Sequence, residues 1–177
     1  MKKGFTMIEL IFVIVILGVL ASVAIPRLAA TRDDAEVAKA ATNLTTAISD
    51  IAAYYTAHGD FKKKSGNTRT EVSFKEMTNA LDNLDKSKKL EGYISLKNTK
   101  CLKITAVEST YDSDKKTTSS AMIKVEPADA KNNDGACKTL MSLSGVKSMC
   151  GGNEITSGAT SSKGCTIKVG GKSVIKF

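Results

Sequence analysis

The sequence predicts an α+β fold, with a long N-terminal helix, apolar in its first half and amphipathic in its second, packed on a small antiparallel β-sheet head. Three observations predict it. The stretch Phe5 to Ile25 is apolar throughout except for Glu9. From Val37 to Tyr55 the apolar residues recur at helical spacing. Beyond Gly92 the apolar period falls to two, the period of strands with one buried face.

The first element raises a question of charge. At ~1.5 Å per residue, Phe5 to Ile25 covers ~30 Å as a helix, the thickness of a bilayer's hydrocarbon core. Lys2 and Lys3 precede it and small residues, "VLASVA", end it, so a cleavable export signal and a simple membrane anchor both fit. Neither explains Glu9, because a carboxylate in hydrocarbon is costly unless something pairs with it. A cut between Gly4 and Phe5 supplies that partner, since it leaves a free ammonium on Phe5 one helical turn before Glu9. The pairing works within one chain or between neighbours, which makes the acid an assembly device. Glycine before the cut suits a protease that needs close backbone approach. Bases alone do not orient the segment: Lys2 and Lys3 lie before it, and Arg27, Arg32 and Lys39 lie after it.

The second element is the amphipathic continuation. Val37, Ala41, Leu44, Ile48, Ile51 and Tyr55 form one stripe, and His58-Gly59 stops the helix, with glycine suited to the left-handed position past its end. Phe5 to His58 as one helix reaches ~80 Å.

The remainder reads as a small head. "VSFKEMTNALDNL" opens with a capping box, Ser73 with Glu76, and a staple, Val72 with Met77; Phe74, Met77, Leu81 and Leu84 give its buried face, so a short helix is expected. Leu102, Ile104 and Ala106 alternate on one strand, and Ala121, Ile123 and Val125 on another that Pro127 ends. Asp134 to Leu143 reads as a short helix around Cys137, closed by Gly145. "CTIKVGGKSVIKF" reads as a hairpin turning at Gly170-Gly171. No repeat and no low-complexity linker divides the head.

Composition bounds the function. The chain has 177 residues, a formal net charge of +8 and 5% aromatics, so one domain follows the apolar segment and anionic partners are favoured. His58 is the single histidine, with no nucleophile motif around it, and neither a P-loop nor a dinucleotide fingerprint occurs. An enzyme is therefore not expected; His58 reads as a cation at a helix C-terminus. Cys101, Cys137, Cys150 and Cys165 contain no CxxC pair, which argues against zinc. After an export-like N-terminus, two disulfides fit better, with three connectivities open. Asp112 and Asp114 in "YDSDKK" read as a solvated turn rather than a calcium site, because Lys115 and Lys116 adjoin them. No metal and no cofactor is expected. Basic clusters at Lys62 to Lys64, at Lys86, Lys88 and Lys89, and at Lys163, Lys168, Lys172 and Lys176 carry no interleaved aromatics and read first as solvated faces, with DNA or an anionic surface as the alternative.

"KKGFTMIEL" followed by the apolar run through Gly18 to Pro26 resembles the class III leader of type IV pilins and type II secretion pseudopilins, a likeness confined to residues 1 to about 30. The resemblance implies a pilin-like fold and the following organisation: leader 1–4, hydrophobic transmembrane and assembly helix 5–26, amphipathic helix 27–58 and globular α+β head 59–177. It implies cleavage after Gly4 by a prepilin peptidase, methylation of the Phe5 amine, pairing of Glu9 with that amine on an adjacent subunit, and stretching or a helix break near Gly18 and Pro26. The implied partners are further copies in a helical homopolymer, related minor pilins, the peptidase and an inner-membrane assembly platform. The chain would reside in the bacterial inner membrane as a single-pass precursor, then in a pilus or pseudopilus with its head in the periplasm or outside the cell. Major pseudopilins typically carry calcium in a C-terminal loop, whereas residues 151 to 177 here hold one acid, Glu154, which favours a pilus subunit. A minor subunit that captures DNA or a surface is the alternative of a different class.

Overall fold

The chain folds as α+β, a long N-terminal helix followed by a small antiparallel sheet, in a computed structural model that describes residues 4–65, 68–82, 84, 89–112, 117–128, 134–156 and 163–170. Two compact units divide it, Met1–Glu36 and Val37–Phe177.

Helix α1, Met7–His58, begins in the first unit. There every side chain from Gly4 to Leu28 that is not glycine lies exposed, as an apolar segment without a partner must. Pro26 sits inside the helix, and the helix runs unbroken through it and through Gly18. Pro26 brings no N–H, so the Ser22 carbonyl loses its usual donor. The Ser22 hydroxyl is also turned back on the helix, donating to the Val19 carbonyl at 2.7 Å.

In the second unit the rest of α1 buries Val37, Ala40, Leu44, Ala47, Ile51 and Tyr55. The stripe is thus centred on Ala40 and Ala47, with Ala41 and Ile48 half-buried beside it. Steps of three or four fit a helix from either side, and the small alanines occupy the line of closest approach. The helix ends as its sequence requires: Gly59 has φ 75° and donates its N–H to the Tyr55 carbonyl at 2.7 Å. His58 stacks on Tyr54, ring centroids 4.1 Å apart, with Nδ1 3.0 Å from the Tyr54 carbonyl.

A hairpin follows, β1 (Lys62–Ser65) with β2 (Thr68–Glu71), which apolar periodicity did not signal because it carries almost no apolar residue. Helix α2 is a single turn, Phe74–Met77, shorter than expected. Thr78 leaves it with φ −149° and ψ 150°, and its buried hydroxyl accepts the Ala80 N–H at 3.2 Å. Leu81 therefore reaches the core from extended chain, next to Asp82, which bridges Tyr93. Ser73 caps the N–H of Lys75, while Glu76 turns to Lys63 at 3.5 Å instead of closing a capping box.

The main sheet has the order β3-β4-β7-β8, every pair antiparallel. Its strands are β3 (Glu91–Leu96), β4 (Thr99–Val107), β7 (Ala121–Pro127) and β8 (Cys165–Gly170), with the small hairpin β5 (Tyr111–Asp112) and β6 (Thr117–Thr118) inserted between β4 and β7. Lys97 and Asn98, with φ 47° and 68°, make the tight β3–β4 turn. Strand β7 alternates without a break, burying Ala121, Ile123, Val125 and Pro127. Its inward residues, those of β4 and the α1 stripe form one core.

Helix α3, Gly135–Ser142, is capped by Asp134, whose carboxylate accepts the Ala136 N–H at 3.2 Å. Gly145 does not close this segment. Leu143 breaks it with ψ 136°, and a second short helix, α4 (Ser144–Met149), begins immediately. At the expected C-terminal hairpin, β8 forms the first arm; the second arm, 171–177, lies outside the described residues.

Candidate functional site

The N-terminal segment carries the functional chemistry. A Cβ placed on Gly4 would meet nothing within 4 Å, and the same holds at Gly18. The chain's own fold therefore does not demand glycine at either position, and a demand for it must come from something that approaches the chain. Phe5 is 82% exposed, at the point where the helix is about to begin.

Glu9 has a partner within its own chain, Thr6. The Thr6 N–H donates to Glu9 Oε2 at 2.9 Å, the Thr6 hydroxyl donates to the same oxygen at 2.8 Å, and the Glu9 N–H lies 3.4 Å from the Thr6 hydroxyl oxygen. This is a capping box, and its signal, Thr followed three residues later by Glu before an apolar run, is legible in "TMIE". Both bonds fall on Oε2, and among the described residues Oε1 accepts none.

Apolarity then decides where this segment can reside. One helix among the described residues is long and apolar enough to cross a membrane, with mean hydropathy 2.9 in its most apolar window. The segment from Phe5 to Leu28 exposes sixteen large hydrophobic side chains.

The four cysteines pair as Cys101–Cys137, with Cα atoms 5.1 Å apart, and Cys150–Cys165, at 5.4 Å. The first ties β4 to α3, and the second ties the end of α4 to the start of β8. Sequence alone left the connectivity open, because it is set by which elements the fold brings together.

Several basic residues of the head, Lys63 of the first basic cluster among them, face acidic neighbours. Lys63 pairs with Glu76 at 3.5 Å, Arg69 with Asp60 at 3.0 Å, and Lys62 stands opposite Glu71 across the hairpin. Lys147 meets Glu154, and its ammonium, hydrogen-bonded to that carboxylate, holds Glu154 below the usual carboxylate range. Lys163 and Lys168 are exposed. Lys86, Lys88, Lys172 and Lys176 lie outside the described residues, as do Asp114 and the side chains of Lys64 and Asp112. Among the described residues no three His, Cys, Asp or Glu side chains converge as metal ligands.

Residues 1–25 match the family model of the prokaryotic N-terminal methylation motif. No curated protein and no solved structure matches the chain. The motif match is consistent with the class III prepilin-type leader and apolar helix of type IV pilins and pseudopilins. That motif, the long apolar helix and the two cysteine pairs fit a pilin-like or pseudopilin precursor anchored in the inner membrane.

Proposed function

We propose that the chain is the precursor of a type IV pilin-like filament subunit. Residues 1–4 are the leader, 5–26 the membrane and assembly helix, 27–58 the amphipathic helix and 59–177 the head. A prepilin peptidase cuts between Gly4 and Phe5 and methylates the new amine. An inner-membrane assembly platform then draws the subunit out of the bilayer into a helical homopolymer, together with related minor pilins, with its head in the periplasm or beyond the cell. In the fibre, the ammonium of Phe5 on one copy meets Glu9 of its neighbour, and the helix unwinds near Gly18 and Pro26.

The match of residues 1–25 to the methylation motif carries this reading. The exposed, uncharged surface around a lone carboxylate supports it, because sixteen large hydrophobics need lipid or other copies to cover them. Intact-mass analysis of the native protein tests it: a chain that begins at Phe5 with one added methyl is expected. Glu9→Ala is expected to insert and fold but to assemble poorly. A mature chain that begins at Met1 or near Ile25, or normal fibres from Glu9→Ala, overturns the reading.

A further inference from the structure

The head carries a surface that solvation does not explain. An open groove of about 580 Å³ runs between α1 and α4, with Thr42, Thr45 and Thr46 on one wall and Leu143, Val146 and Met149 on the other. None of its lining residues is charged, although 25% of the chain is. On α1 no ionisable side chain occurs from Ala40 to Ser49, between Lys39 and Asp50. A helix face kept in water normally carries charge.

Two of its hydroxyls are already satisfied within the helix. Thr42 donates to the Ala38 carbonyl and Thr45 to the Ala41 carbonyl, each at 3.0 Å, and Thr45 Oγ1 lies 3.5 Å from Met149 Sδ. An apolar partner can therefore cover those two side chains without orphaning a donor. The opposite wall is fixed at both ends, since Cys137 in α3 is bonded to β4 and Cys150 after α4 is bonded to β8. A wall held in place loses little freedom when a partner docks.

The chain itself indicates the occupant. Every exposed large hydrophobic among the described residues lies between Phe5 and Leu28, so the described part of a second copy's head has no such side chain to offer. We propose that the groove receives the apolar N-terminal segment of a second copy of this chain. Gly18, which has no Cβ and where one would meet nothing within 4 Å in its own chain, lets the backbone of that segment approach a groove wall closely. The inference rests on the filament reading and names where one subunit's membrane segment is covered once it has left the lipid.

A photoreactive benzoylphenylalanine at Thr46 in the full chain tests it. Irradiated fibres are expected to give a covalent dimer whose cross-linked tryptic peptide ends at Arg27. Thr46→Lys is expected to cut fibre yield roughly tenfold or more, because the ammonium would be buried in an apolar contact. Both disulfides should remain in that variant, and Thr56→Lys, on α1 away from the groove, should assemble normally. Fibres whose cross-links fall only in other peptides, or that tolerate Thr46→Lys, overturn the groove assignment and leave the filament reading standing. A processed chain that forms no fibres overturns both.

Discussion

Removing the two disulfides separately should give unequal losses of stability, and the order follows from the chain. Cys101–Cys137 closes a loop with a sequence separation of 36, against 15 for Cys150–Cys165. In the chain-entropy description these closures are worth ~3.8 and ~3.0 kcal/mol at 25 °C. Burial acts in the same direction, since Cys101 and Cys137 are 1% and 0% exposed while Cys150 and Cys165 are 6% and 7% exposed. Replacing Cys101 and Cys137 together by alanine should therefore cost about 1 kcal/mol more than replacing Cys150 and Cys165. The assay is urea unfolding of the full chain in detergent, followed by near-ultraviolet circular dichroism from the head's tyrosines. Free energies should be compared rather than midpoints, because an uncrosslinked unfolded state is more expanded and raises the denaturant slope. A larger loss from the Cys150–Cys165 pair would refute the reasoning, and a non-reducing peptide map that joins Cys101 to Cys165 would refute the pairing itself.

Gly170→Ala should destabilise the head by ~1–3 kcal/mol, since the ring of Tyr55 occupies the place of the new Cβ, and Tyr55→Leu in the same chain should recover part of the loss; thermal unfolding of both variants checks this. The register of α1 is tested by alanine substitution: Leu44→Ala, at a position 1% exposed, should cost ~2–5 kcal/mol, and Ile48→Ala, half-buried, clearly less. Because Lys147 depresses the Glu154 carboxyl, that group's contribution to stability is present above the ordinary carboxylate pKa and lost as the pH falls through the depressed value. A carbon-detected titration should find Glu154 below an unfolded-chain carboxylate, and Lys147→Ala should return it upward.

The parts of the fold that were legible were those where one residue type has one cheap solution. An apolar run of membrane length, glycine after His58, and strict alternation at Ala121, Ile123 and Val125 each leave the backbone little choice. The β1–β2 hairpin was not legible, because its stability lies in cross-strand pairs and in the Arg69–Asp60 contact rather than in an apolar face. Helix α2 was over-read: Phe74, Met77, Leu81 and Leu84 have helical spacing, yet Thr78 and Asn79 end the helix and deliver Leu81 from extended chain. At the candidate site, Glu9 stands out in the sequence because an acid among apolar residues has few explanations, and the roles of Gly4 and Phe5 are proposed from it. The capping role of Thr6 is a matter of backbone N–H groups at the helix start, signalled by Thr three residues before Glu and not by charge.

That capping role sharpens the question of why residue 9 is an acid. A cap of this kind is worth ~1 kcal/mol to a helix. A carboxylate enclosed by apolar helices costs several kcal/mol when unpaired, so capping alone does not offset it. Glutamine at this position closes a capping box as well as glutamate does, and it carries no charge to bury. If capping were the whole role, glutamine would be the better residue. With both Thr6 bonds on Oε2, the other oxygen is left for the ammonium of a neighbour under the proposed pairing. Glu9→Gln therefore separates the two roles. It should keep the helix start, read as unchanged amide protection at Thr6 to Leu10 in micelles, and yet lose assembly as severely as Glu9→Ala. Fibres formed at the normal rate by Glu9→Gln would leave capping as the sufficient account of the residue and remove the ionic step from the assembly proposal.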